Sequence, residues 1–541
     1  MVYNQFPAVD ENFNLPPQIK ESLSTAFEFT SKFSNAGTLN VKNYPYFATG
    51  NNVSDDHSKI QAALDDAALI PGTTVRIPAG TYKITKTLIV RRGTTIDATG
   101  AKINGYWNNT GGTNLLANGV ITDSFPLYTG NGDITIIGGI WDSQGHLNGS
   151  NLSNGMAFGH AERLTFKNVT IRNLSQGHAL DLCGVRKVLI DGCNFEGASH
   201  SNAEAIQIDI MSTGAFPAFG PYDATQTKDV FIQGCFIGQS NDSAAWGRGV
   251  GSHSAKIDRQ YSNIHVVGNR FQCLEAAVRA YNWINSVISN NIIDGSGIYL
   301  LPINAASVDD SSLADGTYVG TSTPMRNIIC INNEINNASI GVYLSGTVTG
   351  YLQYCIVANN NINGCSSYGL RMTECYDCIF NSNIVNSTTN VAISFSGNSR
   401  CVVTSNVIRN SANNGMSLIS CTNFNVVGNS VFDSAYHGIS ISGTTGNSGF
   451  GSIKDNFIFG SSKAIHNTYQ GLELSTSDSY QVIANKIRKN PENTNHAKWG
   501  LGILAAALNV HYVLNDLRNS GTTANLNDSG VGSTTVSTNL V

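Results

Sequence analysis

The sequence is poor in charged residues. Asp, Glu, Lys and Arg make up 13% of its 541 residues, roughly half the share of an average soluble domain. Acidic residues outnumber basic ones by 37 to 32, which gives a net charge of -5. A surface of this charge does not attract a phosphate backbone, so nucleic-acid binding through a basic surface is excluded.

The sequence also lacks a long apolar run. A helix that spans a membrane needs about 18 consecutive apolar residues, and the longest apolar stretch, Leu501 to Leu508, is interrupted by Gly502. The opening residues MVYNQFPAVDENF have neither a basic start nor an apolar centre. We therefore expect no signal peptide and no membrane partner.

The cysteines do not form the set typical of a disulfide framework. There are 11 of them, an odd number spread along the chain, and most lie in apolar runs, which favours small buried side chains. Cys375 and Cys378 form a single C-x-x-C pair without a second pair and without a histidine at finger spacing. We expect no zinc site, and the sequence contains no calcium-binding loop of its own.

What the sequence does contain is an internal repeat. The pattern apolar, any, apolar, any, small, Asn, any, apolar recurs along the chain, for example as IHVVGNRF at 264–271. Four of its asparagines, from Asn360 to Asn429, are each 23 residues apart. The corner asparagines are Asn269, Asn291, Asn333, Asn360, Asn383, Asn406, Asn429, Asn456, Asn485 and Asn515, and Cys193 and Cys235 take their place in earlier copies.

This repeat predicts the fold class. Alternating apolar residues indicate strands, and Asn at a fixed corner indicates a turn residue that tolerates a left-handed backbone. A second family of strands, such as EAIQID, GVYL and GLRM, lies between the corners. We predict an all-β chain, a single-stranded right-handed parallel β-helix whose coils stack about 4.8 Å apart. Each corner asparagine is expected to bond its copies above and below.

Strand alternation also predicts which side chains face outward. In each strand of the second family the two apolar residues point into the core, so the residue between or after them points out. The resulting stripe is charged and aromatic at first and ends in serines. It consists of Asp181, Gln207, Asp209, His253, Arg279, Tyr281, Tyr299, Tyr343, Arg371, Ser394, Ser417 and Ser440.

Long insertions interrupt the repeat beside the charged part of the stripe. They lie at about 210–227, 239–249 and 303–326, and they add candidate groove walls. Long loops beside a charged stripe on a rigid scaffold are where binding sites concentrate. The added side chains are Asp223, Asp242, Trp246 and Arg248.

A helix-like segment precedes the repeat. Residues 52–68 would place Ile60, Ala63, Leu64 and Ala67 on one face, and alternating strands follow over 73–103. The order DD, helix, G-x-x-V-x-I-P-x-G-x-Y-x-I resembles the opening segment of pectate-lyase-like β-helix proteins, in which the helix caps the first coil. The pattern is carried by Asp55, Asp56, Val75, Ile77, Pro78, Gly80, Tyr82 and Ile84.

The chain as a whole resembles bacteriophage tailspikes and polysaccharide depolymerases of this superfamily. The predicted division is an N-terminal helical arm at 1–46, a capping helix and β-helix opening at 47–110, the β-helix at 111–518 and a tail at 519–541. The tail is expected to be either frayed or exchanged between subunits. The resemblance implies a homotrimer on a virion tail, attached by the arm to baseplate or tail proteins, that cleaves a capsule, exopolysaccharide or O-antigen.

Glycoside hydrolysis is the reaction we favour from the sequence. It needs one protonated and one ionised carboxyl group on either side of the glycosidic bond. We predict Glu204 and Asp209 as this pair, with Asp181 and Asp223 as substitutes. The segment from EAIQID to AVRAYNW also resembles a signature of polysaccharide enzymes in the superfamily. The resemblance points to Glu204, Asp209, Asp223, His253, Arg279 and Trp283.

The remaining site candidates are assigned to substrate binding. His253 and Arg279 would bind the sugar or tune the acids, and the aromatic residues would stack on sugar faces. The full substrate-binding set is His253, Arg279, Tyr281, Trp283, Trp246, Tyr299, Tyr343 and Arg371.

Two alternatives remain open at this stage. In β-elimination on a uronic acid, Arg279 and His253 would supply the cation and the base, and Tyr281 would donate to the leaving oxygen. Some lyases of the superfamily instead use Ca²⁺ held by aspartates, although we expect no cofactor. A non-catalytic spike that only binds a glycan is the second alternative.

Overall fold

The computed structural model describes residues 37–107, 114–148, 154–198, 203–303, 312–320, 322–443, 450–535 and 539–541. Over these residues the chain winds into coils of three strands, and equivalent strands of successive coils pair in parallel to form three long sheets. The fold is a single-stranded right-handed parallel β-helix, as the repeat predicted. In the described ranges neither helix is long and apolar enough to cross a membrane.

The strands fall into three sheets, numbered by the order in which each coil visits them. The first sheet contains Thr38–Asn40, Thr74–Arg76, Thr95–Asp97, Ile134–Ile137, Glu162–Lys167, Arg186–Asp191, Lys228–Gln233, Tyr261–Val267, Trp283–Ser289, Met325–Ile331, Leu352–Gln353, Ile356–Ala358, Cys375–Tyr376, Ile379–Asn381, Val402–Thr404, Phe424–Val427, Gly451–Lys454, Tyr480–Ile483 and His511–Val513. The second contains Asn51–Asp55, Gly80–Ile84, Ala101–Gly105, Ile140–Asp142, Thr170–Leu174, Asn194–Ala198, Phe236–Gly238, Arg270–Gln272, Ile292–Asp294, Glu334–Asn336, Asn361–Asn363, Ile384–Thr388, Val407–Ser411, Ser430–Phe432, Phe457–Phe459 and Lys486–Arg488. The third contains Leu88–Ile89, Leu116–Ala117, Met156–Gly159, Leu180–Cys183, Glu204–Asp209, Arg248–Gly251, Ala276–Tyr281, Gly297–Leu301, Ile340–Ser345, Tyr368–Thr373, Ile393–Ser396, Met416–Ile419, Ile439–Ser442, Gln470–Leu474, Trp499–Ile503 and Ala524–Asp528.

The corner asparagines form a buried ladder inside the coil stack. The side-chain amide of Asn383 donates to Oδ1 of Asn406 at 3.0 Å, and that of Asn406 donates to Oδ1 of Asn429 at 2.9 Å. Each amide also donates to a backbone carbonyl, as Asn406 does to Phe380 at 3.1 Å. Bonds of this kind continue from Asn269 to Asn539, so the predicted bonding between copies is confirmed.

The left-handed corner residue is not the ladder asparagine. The residue before it takes the left-handed backbone, with φ of 57° at Asn332, 53° at Ser382 and 56° at Ser405. The prediction that the ladder asparagine itself adopts this conformation is therefore wrong. The turn before it directs the asparagine side chain into the stack, where its amide reaches the next coil.

The capping helix spans His57–Ala68 and buries the predicted face of Ile60, Ala63, Leu64 and Ala67. It is shorter than the predicted 52–68 because Asn51–Asp55 forms a strand of the second sheet. The carboxylate of Asp56 accepts hydrogen bonds from the backbone N–H groups of Thr49 and Gly50, at 2.7 and 2.8 Å. A second helix, Gly145–Asn148, is a single turn.

Each predicted end segment contributes a strand to a sheet where the structure describes it. Residues 1–36 of the predicted arm lie outside the described residues, and Thr38–Asn40 pairs with Thr74–Arg76 as part of the first sheet. Ala524–Asp528 pairs with Trp499–Ile503 of the same chain. Within the described part of 519–541, this strand continues the third sheet in register.

All eleven cysteines are buried and free, which confirms their prediction as small core side chains. Cys235 takes the ladder position, since its backbone N–H donates to Oδ1 of Asn269 at 2.9 Å. In the part of the chain that the structure describes, no three His, Cys, Asp or Glu side chains are grouped so as to hold a metal ion.

Candidate functional site

Most of the predicted stripe forms one continuous column on the outer face of the third sheet, whereas Asp209, His253 and Tyr281 each lie two residues beyond a member of this column. Asp181 pairs with Gln207, Gln207 with Gly251 and Gly251 with Arg279. Successive members are about 4.8 Å apart because they lie on neighbouring parallel strands. Beyond Arg279 the column continues through Tyr299, Tyr343, Arg371, Ser394, Ser417, Ser440 and Glu473.

A cavity of about 320 Å³ lies at the charged start of this column. Its polar lining comes from Asn114, Asn154, His178, Asp181, Gln207 and His253. The opposite wall is formed by residues between 214 and 218, which belong to the long insertion predicted at 210–227. A concave site with a few convergent polar groups is the usual form of a ligand pocket.

The insertion is held against the sheet by apolar packing. Met211, Phe216 and Phe219 are buried against Ala157 and Cys183 of the third sheet. The rings of Phe216 and Phe219 meet edge to face at 5.1 Å. This packing fixes the wall of the cavity and keeps it close to the polar residues of the column.

His160 and Asp223 attach the same insertion to a neighbouring loop. The two ring nitrogens of His160 lie 2.6 and 2.7 Å from the carbonyl oxygens of Leu127 and Pro221. Asp223 accepts hydrogen bonds from the N–H of Leu127 at 3.2 Å and from Thr225 at 3.0 Å. Asp223 does not line the cavity, and its carboxylate is occupied by these hydrogen bonds within the loop.

Asp209 and His253 form an ion pair in which the carboxylate is buried and the imidazole is exposed on one side. The Asp209 carboxylate is fully buried, and its Oδ2 lies 2.7 Å from Nδ1 of His253. Burial opposes ionisation of Asp209, but the charge and hydrogen bonds of His253 outweigh it and hold the pKa of Asp209 below its usual range. The same charge of Asp209 raises the pKa of His253 to about 9. His253 is therefore a cation at neutral pH, with Nε2–H left for the cavity.

The other oxygen of Asp209 is also occupied. It accepts hydrogen bonds from the backbone N–H groups of His253 and Ser254, at 3.0 and 3.2 Å, and from the hydroxyl of Tyr261 at 3.2 Å. The amide of Gln207 donates to Oδ2 at 2.7 Å. Asp209 can thus orient His253, but neither of its oxygens is free for a substrate.

Asp181 is the carboxyl group that does line the cavity. Asn154 donates to its Oδ2 at 2.8 Å and Cys183 to its Oδ1 at 3.2 Å. Burial, reinforced by the negative charge of Asp209, raises the pKa of Asp181 to about 7. A carboxyl group with this pKa exchanges protons readily near neutral pH, which is what acid–base catalysis requires.

Glu204 lies beside the cavity and is neutralised by Arg248. Its Oε1 accepts a hydrogen bond from Arg248 at 3.2 Å, and Arg248 also binds Glu275 at 2.8 Å. Gly251 makes room for Glu204, because a Cβ at this position would lie 2.9 Å from Glu204 Cγ. Glu204 and Asp209, the predicted carboxylate pair, are therefore both buried and paired with cations, which removes them from direct contact with the cavity.

His178 and Gln207 also line the cavity, although neither was predicted as a catalytic or binding residue. His178 Nδ1 donates to the carbonyl of Glu204 at 2.8 Å, which leaves Nε2 as an acceptor, and burial lowers the pKa of this imidazole. Oε1 of Gln207 is buried without a hydrogen-bond partner among the described residues. A signal for His178 existed: it precedes Asp181 by three residues, the offset at which Glu204 precedes Gln207.

The predicted binding residues beyond the cavity form a half-buried ridge along the column. Arg279 donates to the carbonyl of Ser252 at 2.6 Å and lies over the ring of Tyr281, 5.5 Å from its centre. The rings of Tyr299 and Tyr343 meet edge to face at 6.0 Å. Arg371 lies over Tyr343 at 5.2 Å, so two neighbouring tyrosines lie between two arginines along the column.

The two predicted tryptophans do not belong to this surface. Trp246 and Trp283 are fully buried, and the indole N–H of Trp283 donates to Oγ of Ser252 at 2.8 Å. The prediction that they stack on sugars is wrong, because both rings fill the interior of the solenoid. The insertion that carries Trp246 turns back into the core before the strand that begins at Arg248.

Comparisons with known proteins agree with the fold. The family model described as a right handed beta helix region matches residues 296–452. A curated relative, plasmin and fibronectin-binding protein A of Streptococcus pneumoniae, is 28% identical over 306 residues. The match covers 50% of this chain and 42% of that protein. The chain therefore spans less than half the length of this relative.

Solved structures are also similar to this chain. The crystal structure of the pneumococcal surface adhesin PfbA is similar with a TM-score of 0.51 and 23% identity, over 77% of this chain and 91% of that one. A tailspike protein of Escherichia coli bacteriophage HK620 has a TM-score of 0.45 and 13% identity, over 90% and 75% of the two chains. The similarity to PfbA establishes a shared fold.

Proposed function

We propose that the chain binds a polysaccharide in the cavity and hydrolyses a glycosidic bond, with His253 as the acid and Asp181 as the base. The observation that carries this proposal is the presence of both groups in one cavity, with pKa values of about 9 and about 7. Two titratable groups whose environments separate their pKa values are the usual mark of an acid–base pair.

In the proposed reaction, Nε2–H of His253 gives its proton to the glycosidic oxygen as the bond from that oxygen to C1 breaks. The ionised Asp181 takes a proton from the water molecule that attacks C1. Asp209 holds the imidazole in place and stabilises its positive charge before the transfer. His178 Nε2 and Gln207 Oε1 are acceptors for sugar hydroxyl groups, which positions the ring.

Hydrolysis fits this lining better than β-elimination does. Elimination needs a cation at the carboxylate of a uronic acid in addition to an acid and a base. Arg279, which the sequence suggested for that role, binds the Ser252 carbonyl and does not line the cavity. Among the described residues that line the cavity, the cation is His253. The proposed hydrolysis uses His253 as the acid, whereas elimination would need a further cation for the carboxylate.

The test is a panel of purified capsular polysaccharides and exopolysaccharides. Formation of reducing ends is followed together with the ultraviolet absorbance of an unsaturated product. We expect new reducing ends without absorbance, and kcat/KM that rises with pH through about 7 and falls through about 9. Equal growth of both signals would mean elimination. A rate that falls as pH rises through about 7 would make Asp181 the acid and contradict the assigned roles.

A non-catalytic adhesin is the second candidate. The specific observation in its favour is the 28% identity over half of this chain to a pneumococcal protein named for binding plasmin and fibronectin. This candidate predicts binding to a polysaccharide or host protein without any shortening of a polymer. Binding of plasmin or fibronectin that persists in Asp181→Asn, together with a panel in which nothing is cleaved, would favour the adhesin.

The assembly and location are proposed from the tailspike resemblance. We expect three chains of 57.6 kDa each per particle in light scattering, and attachment to a virion tail through residues 1–46. A particle with the mass of one chain would contradict the trimer. Activity that survives chelation would support the expected absence of a cofactor, whereas loss that Ca²⁺ restores would favour the calcium alternative.

A further inference from the structure

A second polar cluster lies on the same column, far from the cavity. Glu473 follows Ser440 in register on the third sheet, ten strand steps after Asp181, which corresponds to about 48 Å. Its neighbours are His437, Tyr436, Tyr469 and Ser440. None of these residues lines the cavity described above.

The Glu473 carboxylate is held in a fixed orientation. Ser440 donates to its Oε2 at 3.0 Å, and Nε2 of His437 lies 3.5 Å from the same oxygen. The backbone N–H of Gln470 donates to Nδ1 of His437 at 3.1 Å, so Nδ1 is the acceptor and Nε2 carries the proton. Burial lowers the pKa of His437 to about 4, and the imidazole is therefore a neutral donor.

A pair of stacked tyrosines borders this carboxylate. The rings of Tyr436 and Tyr469 are nearly parallel with centres 4.3 Å apart, and the ring of His437 meets Tyr469 edge to face at 5.0 Å. Both tyrosines are half-buried. Aromatic faces beside an oriented carboxylate suit a sugar, whose C–H groups lie on the ring while its hydroxyls donate to the carboxylate.

An unsatisfied polar atom marks the same place. Gln470 is 5% exposed, and its Oε1 has no hydrogen-bond partner among the described residues. Gly502 makes room for this side chain, because a Cβ there would lie 2.9 Å from Gln470 Cγ. Gln470 precedes Glu473 by three residues, just as Glu204 precedes Gln207. In both cases a glycine on the next strand, Gly502 or Gly251, makes room for the first side chain of the pair.

We infer that Tyr436, Tyr469, Glu473 and Gln470 form a second glycan-binding site that takes a neutral, hydroxyl-rich sugar unit. The inference rests on the proposed function in one respect, since the ligand is a further unit of the polysaccharide that enters the cavity. The column between the two sites offers Tyr299, Tyr343 and Arg371 and then small serines. A long polymer lying along the column occupies both sites at once and gains affinity through multivalency.

The experiment measures binding to the same panel of capsular polysaccharides and exopolysaccharides, immobilised at full length. The Asp181→Asn protein serves as the background because it leaves the polymer intact. In this background Tyr469→Ala should lower the affinity for the bound polymer by about tenfold or more, and Glu473→Gln should lower it severalfold. Tyr469→Phe, which keeps the stack, and Ser417→Ala, which lies on the same column, should stay within about twofold.

The inference would be overturned if Tyr469→Ala and Glu473→Gln both kept the affinity for the full-length polymer within about twofold of the background. Cleavage by the unmodified protein would in that case still support the proposed function. Tyr469-dependent binding to a polymer that the unmodified protein does not cleave would support the inference and contradict hydrolysis. A panel on which the background protein binds nothing would overturn both.

Discussion

At the scale of single residues, the site shows how environment separates two identical side chains. Asp181 and Asp209 lie on neighbouring strands with Cα atoms about 8 Å apart, judged from their register. Asp209 faces a cation and several donors, and its pKa falls, whereas Asp181 is buried beside a negative charge, and its pKa rises. The sequence places both acids on one face, but it contains no signal for which of them His253 neutralises.

Replacement of Asp181 by Asn should separate activity from stability. Loss of the proposed base should lower kcat by about 10²- to 10⁴-fold. The folded state raises the pKa of Asp181 from 3.8 to about 7. Ionisation of this carboxyl group therefore destabilises the fold increasingly as the pH rises from 3.8 to about 7. Asn removes this cost, so the variant should be more stable than the unmodified protein, by about 2 kcal/mol at pH 8.

The stability gain should be smaller at pH 5, where the folded protein keeps Asp181 protonated. Thermal unfolding of both proteins at pH 5 and at pH 8 checks the prediction. Ser417→Ala, on the same column and away from ionisable groups, is the matched control and should show no pH-dependent difference. If Asp181→Asn were less stable at pH 8 than the unmodified protein, the ionised Asp181 carboxylate would not destabilise the fold, and the prediction would be wrong.

At the scale of elements, the insertion at 210–227 turns a flat sheet face into a cavity. The sequence predicts that the insertion exists, because the repeat is interrupted there. It does not predict how the insertion folds back, since that depends on packing of Phe216 and Phe219 against the third sheet and on the contacts of Asp223 and His160. For this reason the sequence could not show that Asp223 holds the loop and does not line the cavity.

Asp223→Ala should therefore behave as a loop variant and not as a catalytic one. Loss of the hydrogen bonds to Leu127 and Thr225 loosens the cavity wall, so we expect KM to rise about three- to tenfold with kcat nearly unchanged. Steady-state kinetics on the polymer found by the panel measures both constants. A fall in kcat comparable to that of Asp181→Asn, with KM unchanged, would restore Asp223 as a catalytic candidate.

The corner ladder is the element that the sequence predicts best, because its 23-residue spacing is visible without any structure. Asn406→Ala removes the acceptor of two Asn383 donors and the donor to Asn429. Buried polar groups left without partners cost about 1 to 3 kcal/mol each, so we expect a loss of about 2 to 4 kcal/mol in the free energy of unfolding.

Guanidinium chloride unfolding followed by circular dichroism measures this loss. The matched control is Asn361→Ala, in the second sheet, whose side chain is exposed, and it should change the free energy of unfolding by less than about 0.5 kcal/mol. Similar effects of the two substitutions would show that the asparagine side-chain bonds contribute little to the free energy of unfolding beyond the backbone hydrogen bonds of the sheets.

At the scale of the whole molecule, regular and irregular coils have different tasks. Between Asn360 and Asn429 every ladder step is 23 residues, and the outward column there is mostly serine. Around the cavity the corresponding steps lengthen to 42 and 34 residues, from Cys193 to Cys235 and from Cys235 to Asn269. The regular coils therefore form the scaffold, and the coils with insertions carry the proposed chemistry.

This division predicts a gradient of local stability along the solenoid. Ladder N–H groups such as that of Asn406 are buried and bonded to the next side chain, so their exchange with solvent requires opening of the stack. The insertion at 210–227 has fewer strand hydrogen bonds and opens more easily.

In hydrogen–deuterium exchange followed by mass spectrometry, peptides from 352–432 should exchange more slowly than peptides from 210–227. Bound polymer should slow the exchange of the 210–227 peptides most, because they border the cavity. Equal exchange in both regions, unchanged by the polymer, would mean that the insertion is as rigid as the scaffold and takes no part in binding.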